Sequence, residues 1–222
     1  MTQRVLVWDV PTRIFHWFLA VSFAGAFLTA ESERFRDIHI VTGYTMLALI
    51  TFRLIWGFIG SRYARFRSFI FKPGEIVEYI TSLIKGNSKR YVGHNPAGSI
   101  AIFVLLALGI AISATGIMLM QDSGGDAFGE MHELFSNAML AVVFIHVAGV
   151  IVSGIKQREN LVRSMITGYK SARQDDGISR PYIVLGVIMT ILIVAFWIGY
   201  PATGIVSPSN SLPHAERHND DD

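Results

Sequence analysis

Apolar residues run along this chain in five long blocks, Ile14 to Ala30, Ile38 to Gly60, Ala97 to Met120, Leu134 to Ile155 and Tyr182 to Tyr200. Each approaches or exceeds the roughly 17 to 25 residues that cross a bilayer as a helix, so the pattern predicts five transmembrane helices. Asp9-Val10-Pro11 supplies a helix start, with Asp9 as the cap and proline in the first turn, where a missing N–H costs nothing. The first block resembles a signal peptide in length and position, but it lacks an A-x-A cleavage site and carries a histidine among its aromatics, so it is expected to stay in the mature chain. Between the second and third blocks, Gly74 to Gly86 places Ile76, Val77, Ile80, Leu83 and Ile84 at helical spacing with a stop at Gly86. That is an amphipathic helix lying on the membrane surface or packed on its own loop.

Composition agrees: 51% of the 222 residues are hydrophobic and 16% charged, against about a quarter charged in soluble domains. There is no cysteine, which excludes disulfides, thiolate-bound iron-sulfur clusters and covalent c-type haem. A net charge of +2 gives no argument for nucleic acid, but the charges are unevenly placed. Two Lys/Arg precede the first block, 7 lie between the second and third, and 6 between the fourth and fifth. The other loops and the tail hold 3, Arg34, Arg36 and Arg217. Basic loops stay in the cytoplasm, so the expected topology is N-terminus inside and C-terminus outside. The polar tail, Ser207 to Asp222, is expected to be disordered.

Ionisable residues within a membrane are costly and mark function by default. His132 and His146 are 14 residues apart, almost four turns, on one helix face and about 21 Å apart along the axis. His39 opens the second block at the depth of His132, and His16 lies in the first near the depth of His146. Each pair offers two imidazoles from different helices, which is how bundles hold a haem. Arg53 follows His39 by the same 14 residues, near the level of His16 and His146. A buried guanidinium needs an anion, no carboxylate lies deep in any block, and a haem propionate would serve.

Alternatives attach to each residue. A lone histidine at a helix end is ordinarily an interfacial or hydrogen-bonding residue, and only matched depth across four of them plus Arg53 argues otherwise. Zinc needs more ligands at one depth than two histidines. Met118, Met120, Met131 and Met139 are candidate axial ligands but read better as packing residues. His94, in Gly93-His-Asn-Pro-Ala-Gly98, reads as a turn or interface residue, and His214 and His218 as solvated.

Several motifs carry a resemblance: Val7-Trp-Asp-Val-Pro-Thr-Arg-Ile-Phe-His-Trp17, His39-x3-Gly43 with Arg53-Leu-Ile-Trp-Gly57, Gly93-His-Asn-Pro-Ala-Gly98, and Glu130-Met-His132 followed by His146-Val-Ala-Gly149. From Trp8 to Lys170 the chain resembles bacterial cytochrome b561, a family that includes nickel-iron hydrogenase cytochrome b subunits. The resemblance implies an all-α transmembrane four-helix bundle with two bis-histidine b haems, held by His16, His39, His132 and His146, and quinone-linked electron transfer. It also points to the cytoplasmic side, near His16, His94 and Arg13, for the quinone. The fifth block and acidic tail depart from the four-helix pattern. The expected organisation is a dihaem domain over 1–172, an added transmembrane helix over 173–206 and a periplasmic tail over 207–222, in the bacterial inner membrane.

Three functions compete. A conduit between quinone and a periplasmic redox protein, a c-type cytochrome or hydrogenase-like subunit, is favoured by the acidic outer surface, which includes Glu31, Glu33, Asp37, Glu130 and Glu133 and would steer a basic partner. A self-contained superoxide:quinone oxidoreductase would need a basic funnel, for which Arg34 and Arg36 are the candidates. A transporter or assembly protein relaying protons through its histidines would bind no haem. Membrane lipid is a partner in every case, and a homo-oligomer is compatible with all three.

Overall fold

The computed structural model describes residues 3–86, 89–121 and 125–200. A short strand, β1 (Gln3–Leu6), leads into helix α1 (Val10–Thr29), followed by α2 (Arg36–Ile59), α3 (Pro73–Lys85), α4 (Pro96–Met120), α5 (Gly125–Gln157), α6 (Leu161–Thr167), strand β2 (Tyr169–Ala172) and α7 (Ile183–Gly199). The helix starts are chemically specified. Asp9 Oδ1 accepts from the Thr12 N–H at 2.7 Å and Asn95 Oδ1 from the Gly98 N–H at 2.7 Å, and in both helices proline occupies the first turn.

Four helical segments, Val10–Thr29, Glu33–Ile59, Pro96–Met120 and Gly125–Gln157, are long and apolar enough to cross a membrane. This is a multi-pass helical protein. The expected fifth crossing is present as α7, an apolar helix of 17 residues. At about 25 Å it falls short of the roughly 30 Å hydrocarbon core, so length alone does not make it a span. The polar tail lies outside the described residues.

The bundle is two hairpins, α1 with α2 and α4 with α5, joined where α2 packs on α4, with α7 docked on α1. One core layer joins Phe15, Leu49, Leu106 and Met189; the next joins Phe23, Met46, Ile112 and Met139. At Gly109 an added Cβ would stand 2.6 Å from Ile50 Cδ1, so glycine lets the Ile50 side chain of α2 lie close against α4. The backbone of α5 stands off from α1 and α2, and Met139 bridges the space to Phe23 and Met46.

At the end bearing the basic loops, β1 and β2 pair antiparallel with Leu6 opposite Tyr169. The helical periodicities do not predict this sheet, because four-residue strands are too short to show a period of their own. Val5, Val7, Trp8, Tyr63 and Ala172 form a small core there. The Val7 and Trp8 N–H groups both donate to the Gly168 carbonyl, at 2.8 and 3.1 Å. The amphipathic segment forms α3 and ends at Gly86 in the left-handed region, φ 80°. Tyr79 anchors it, its hydroxyl accepting from Gln157 Nε2 at 3.4 Å, while Val77, Ile80 and Ile84 face away from the protein.

Candidate functional site

Two stripes seven residues apart organise the bundle interior. On α2 they are His39, Met46 and Arg53, and on α5 they are His132, Met139 and His146; a seven-residue step is almost two turns and keeps one face. Met46 and Met139 share a core layer, so packed apolar residues separate a site at His39 and His132 from one at Arg53 and His146. Met139 is thus a packing residue, and Met120 lines the cavity beside His132.

At the first site the rings of His39 and His132 lie 6.1 Å apart, centre to centre. His39 Nδ1 is 2.8 Å from the Ala26 carbonyl oxygen. A carbonyl can only accept, so Nδ1 carries the proton and Nε2 keeps its lone pair. His132 Nδ1 is 3.0 Å from Thr115 Oγ1, and that hydroxyl has its own acceptor, the Ala111 carbonyl at 2.9 Å. The hydroxyl therefore donates to the helix and accepts from Nδ1–H, an assignment made from the network. Both histidines have the tautomer that leaves Nε2 free, fixed by hydrogen bonds of the kind that orient metal-bound imidazoles.

The two rings share a cavity of about 520 Å³ between the four spans, walled by Phe23, Phe27, Met46 and Ile112, within the size range of cofactor pockets. Glu31, Glu33, Arg36 and Glu133 stand at its mouth. Two imidazoles from different helices, each with Nδ1 engaged and Nε2 left as a donor to metal, have the chemistry that would hold a haem iron. Among the described residues no three His, Asp or Glu side chains gather as a metal cluster, which counts against zinc.

At the second site His16 on α1 and His146 on α5 are within electrostatic reach of each other. His16 Nδ1 is buried without a hydrogen-bond partner. Arg53 is buried, with its Cζ 4.8 Å from the centre of the Phe66 ring and 5.8 Å from that of Phe69, and its Nη1 likewise has no hydrogen-bond partner. Arg13, one turn before His16, is tied elsewhere: its Nη1 donates to the Ile166 carbonyl at 2.6 Å, while its Nε is buried and unpartnered.

Two residues at this end escape a reading of the sequence alone. Asp9 is fully buried, bringing a carboxylate toward Arg53 that the hydropathy blocks do not include, but its oxygens are taken by the Thr12 N–H and by Trp56 Nε1 at 3.2 Å. His94 lies in the turn before α4, as its motif suggests, but is half-buried there. Its ring lies between Trp8 and Phe69, at centre distances of 4.7 and 4.6 Å, with Nδ1 buried and unpartnered. Burial, with Arg53, Lys170, His146 and His16 adding positive charge nearby, pushes this imidazole down to about 3, so it is neutral at physiological pH.

The family model for prokaryotic cytochrome b561 matches residues 7–168. The chain is 25% identical to the probable Ni/Fe-hydrogenase B-type cytochrome subunit of Rhodobacter capsulatus, over 77% of this chain and 83% of that one. It is 27% identical to the corresponding probable subunit of Azotobacter vinelandii, over 77% and 90%, and 26% to that of Rhizobium leguminosarum bv. viciae, over 75% and 88%. No solved structure matches. The matched region takes in all four spans and all four paired histidines, and the chain belongs to the prokaryotic cytochrome b561 family of membrane electron-transfer proteins, whose cofactor is haem b.

Proposed function

We propose that this chain holds two b haems, one between His39 and His132 and one between His16 and His146, and carries electrons across the inner membrane between the quinone pool and a periplasmic redox protein. The observation that carries the reading is the first site: two imidazoles from different helices with ring centres 6.1 Å apart, each with Nδ1 engaged, in a cavity between the spans. When bound, haem supplies an iron that gains and loses one electron. The chain's part is to hold it with imidazoles, keep water away with Phe23, Phe27 and Ile112, and offset its carboxylates with Arg53.

The basic loops support a cytoplasmic β1–β2 end, which would put His16, His146 and a quinone site near Arg13 on that side. His39 and His132 then face the periplasm. The related B-type cytochrome subunits suggest a hydrogenase as the partner. The acidic mouth formed by Glu31, Glu33 and Glu133 suits a basic protein surface better than superoxide. A crossing by α7 would carry 207–222 to the same side, and α3 would lie on the cytoplasmic membrane surface through Val77, Ile80 and Ile84.

Haem quantified per chain in the purified protein, with a reduced-minus-oxidised spectrum, tests the reading. Two b haems are expected in the wild type and one in each of His132→Ala and His146→Ala. A folded wild type without haem would refute it.

A further inference from the structure

We infer that His94 is a further cofactor-positioning residue: with Arg53 it forms a two-donor clamp for a carboxylate arm of the haem at His16 and His146. The inference rests on the reading of that pair as haem ligands. Arg53 Nη1 and His94 Nδ1 are both buried and both lack a hydrogen-bond partner. They come from different elements, α2 and the turn before α4, and converge on one ring, Phe69, with Arg53 Cζ at 5.8 Å and the His94 ring at 4.6 Å. Buried polar atoms are nearly always satisfied, so an unpaired guanidinium N–H within electrostatic reach of an unpartnered imidazole nitrogen that can carry its ring's proton marks the place of an acceptor. Because a guanidinium is always charged, that acceptor is an anion.

The protein does not supply it. Asp9, the buried carboxylate within electrostatic reach of Arg53, accepts from Thr12 and Trp56, and no ion pair joins it to Arg53 among the described residues. On the haem-ligand reading, His16 and His146 already supply the two imidazoles that would hold the iron, so His94 has a different role. Its position is nonetheless fixed from both sides. A Cβ on Gly93 would meet Tyr63 at 2.6 Å, Asn95 caps α4 and Pro96 follows in its first turn. With Trp8 on one face and Phe69 on the other, the imidazole is held in place beside Arg53.

A redox titration of the full-length, haem-loaded protein, with the two haems assigned by their loss in His132→Ala and His146→Ala, separates the outcomes. Removing a donor leaves the carboxylate less compensated and so favours ferric iron. In His94→Phe the midpoint of the His16–His146 haem is expected to fall, by about 59 mV for a tenfold change in the one-electron equilibrium. The other haem should not move, and His94→Gln, which retains an N–H, should recover most of the shift. Should phenylalanine crowd Trp8 and prevent folding, His94→Leu makes the same measurement. Two bound haems with an unmoved midpoint, or equal shifts in the glutamine and phenylalanine variants, would overturn this inference alone. Loss of a haem from His94→Gln would overturn it too, by making the residue a ligand or a packing element. A wild type without haem at His16 and His146 would overturn the parent reading as well.

Discussion

Thr115→Val tests whether the hydrogen bond behind His132 holds the metal-binding tautomer. Thr115 is buried, and its hydroxyl sits between the Ala111 carbonyl at 2.9 Å and His132 Nδ1 at 3.0 Å. Valine keeps the branched shape and removes the acceptor. The Ala111 carbonyl retains its place in the helix ladder, so the loss falls on His132, whose Nδ1–H keeps only its backbone contact at Ile112 and whose ring is freer to turn. Outer hydrogen bonds of this kind are worth 10–100-fold in metal affinity, or about 1.4 to 2.8 kcal/mol. Titrating haem into the stripped protein should show two sites, with the Kd of the His39–His132 site raised 10–100-fold in Thr115→Val and little changed in Thr115→Ser. Imidazole basicity falls with the lost bond, so that haem's midpoint potential should rise. An unchanged Kd in the valine variant, or an equal loss in the serine variant, would refute the reasoning.

Asp9→Asn leaves one oxygen for the Thr12 N–H and turns an amide NH2 toward Trp56 Nε1, a donor facing a donor; a loss of about 1 to 3 kcal/mol, read as a lower midpoint of thermal unfolding in detergent, is expected, and unchanged stability would count against the α1–α2 link. Gly186→Val drives a side chain into Val10, whose Cγ1 would lie 2.3 Å from a Cβ, and overpacking costs about 1 to 3 kcal/mol. The variant should loosen α7 from α1, break the Trp197 Nε1 bond to Thr45 Oγ1 at 2.8 Å, and increase proteolysis at 173–182 while leaving haem content at the His39–His132 site unchanged.

Much of this was legible in residue spacing, because a bilayer imposes one length scale on every span. Counting from helix starts puts His39 and His132 at one depth, and their rings do meet. The Asp9 cap was legible from local chemistry, since a polar residue ahead of a proline and an apolar run marks a helix start. Depth arguments stop at the helix ends. His94 enters the bundle because Trp8 and Phe69 enclose it and Lys170 ties the chain nearby, donating to the Tyr91 carbonyl at 3.2 Å. Those contacts join residues far apart in sequence and leave no periodic trace. Thr115 was hidden differently: it sits in an apolar helix where a threonine bonding back to its own carbonyls is unremarkable, and only the position of His132 gives it a second role.

The charge distribution around the two sites predicts the order of their potentials. At His16 and His146 the buried Arg53 stands free of any ion pair among the described residues; at His39 and His132 the nearby charges are Glu31, Glu33 and Glu133 against Arg36, at the mouth of the cavity. Both haems would bring carboxylates, and one site alone has a buried guanidinium to offset them, its effect reduced by the buried Asp9 carboxylate within electrostatic reach. A unit charge about 10 Å from the iron, at an effective dielectric constant of about 20, contributes at most about 1.7 kcal/mol, or about 70 mV for one electron. The exposed carboxylates add less, being screened by water and salt, but with the same sign. The haem at His16 and His146 should therefore have the higher potential, and Arg53→Met should narrow the gap by up to that amount. Under the proposed function, electrons would then run downhill from the acidic mouth to the basic end, the direction that would deliver them from a periplasmic donor to quinone. Should the haem lost in His132→Ala prove to be the higher-potential one, Arg53 does not set the order and the direction argued from it fails.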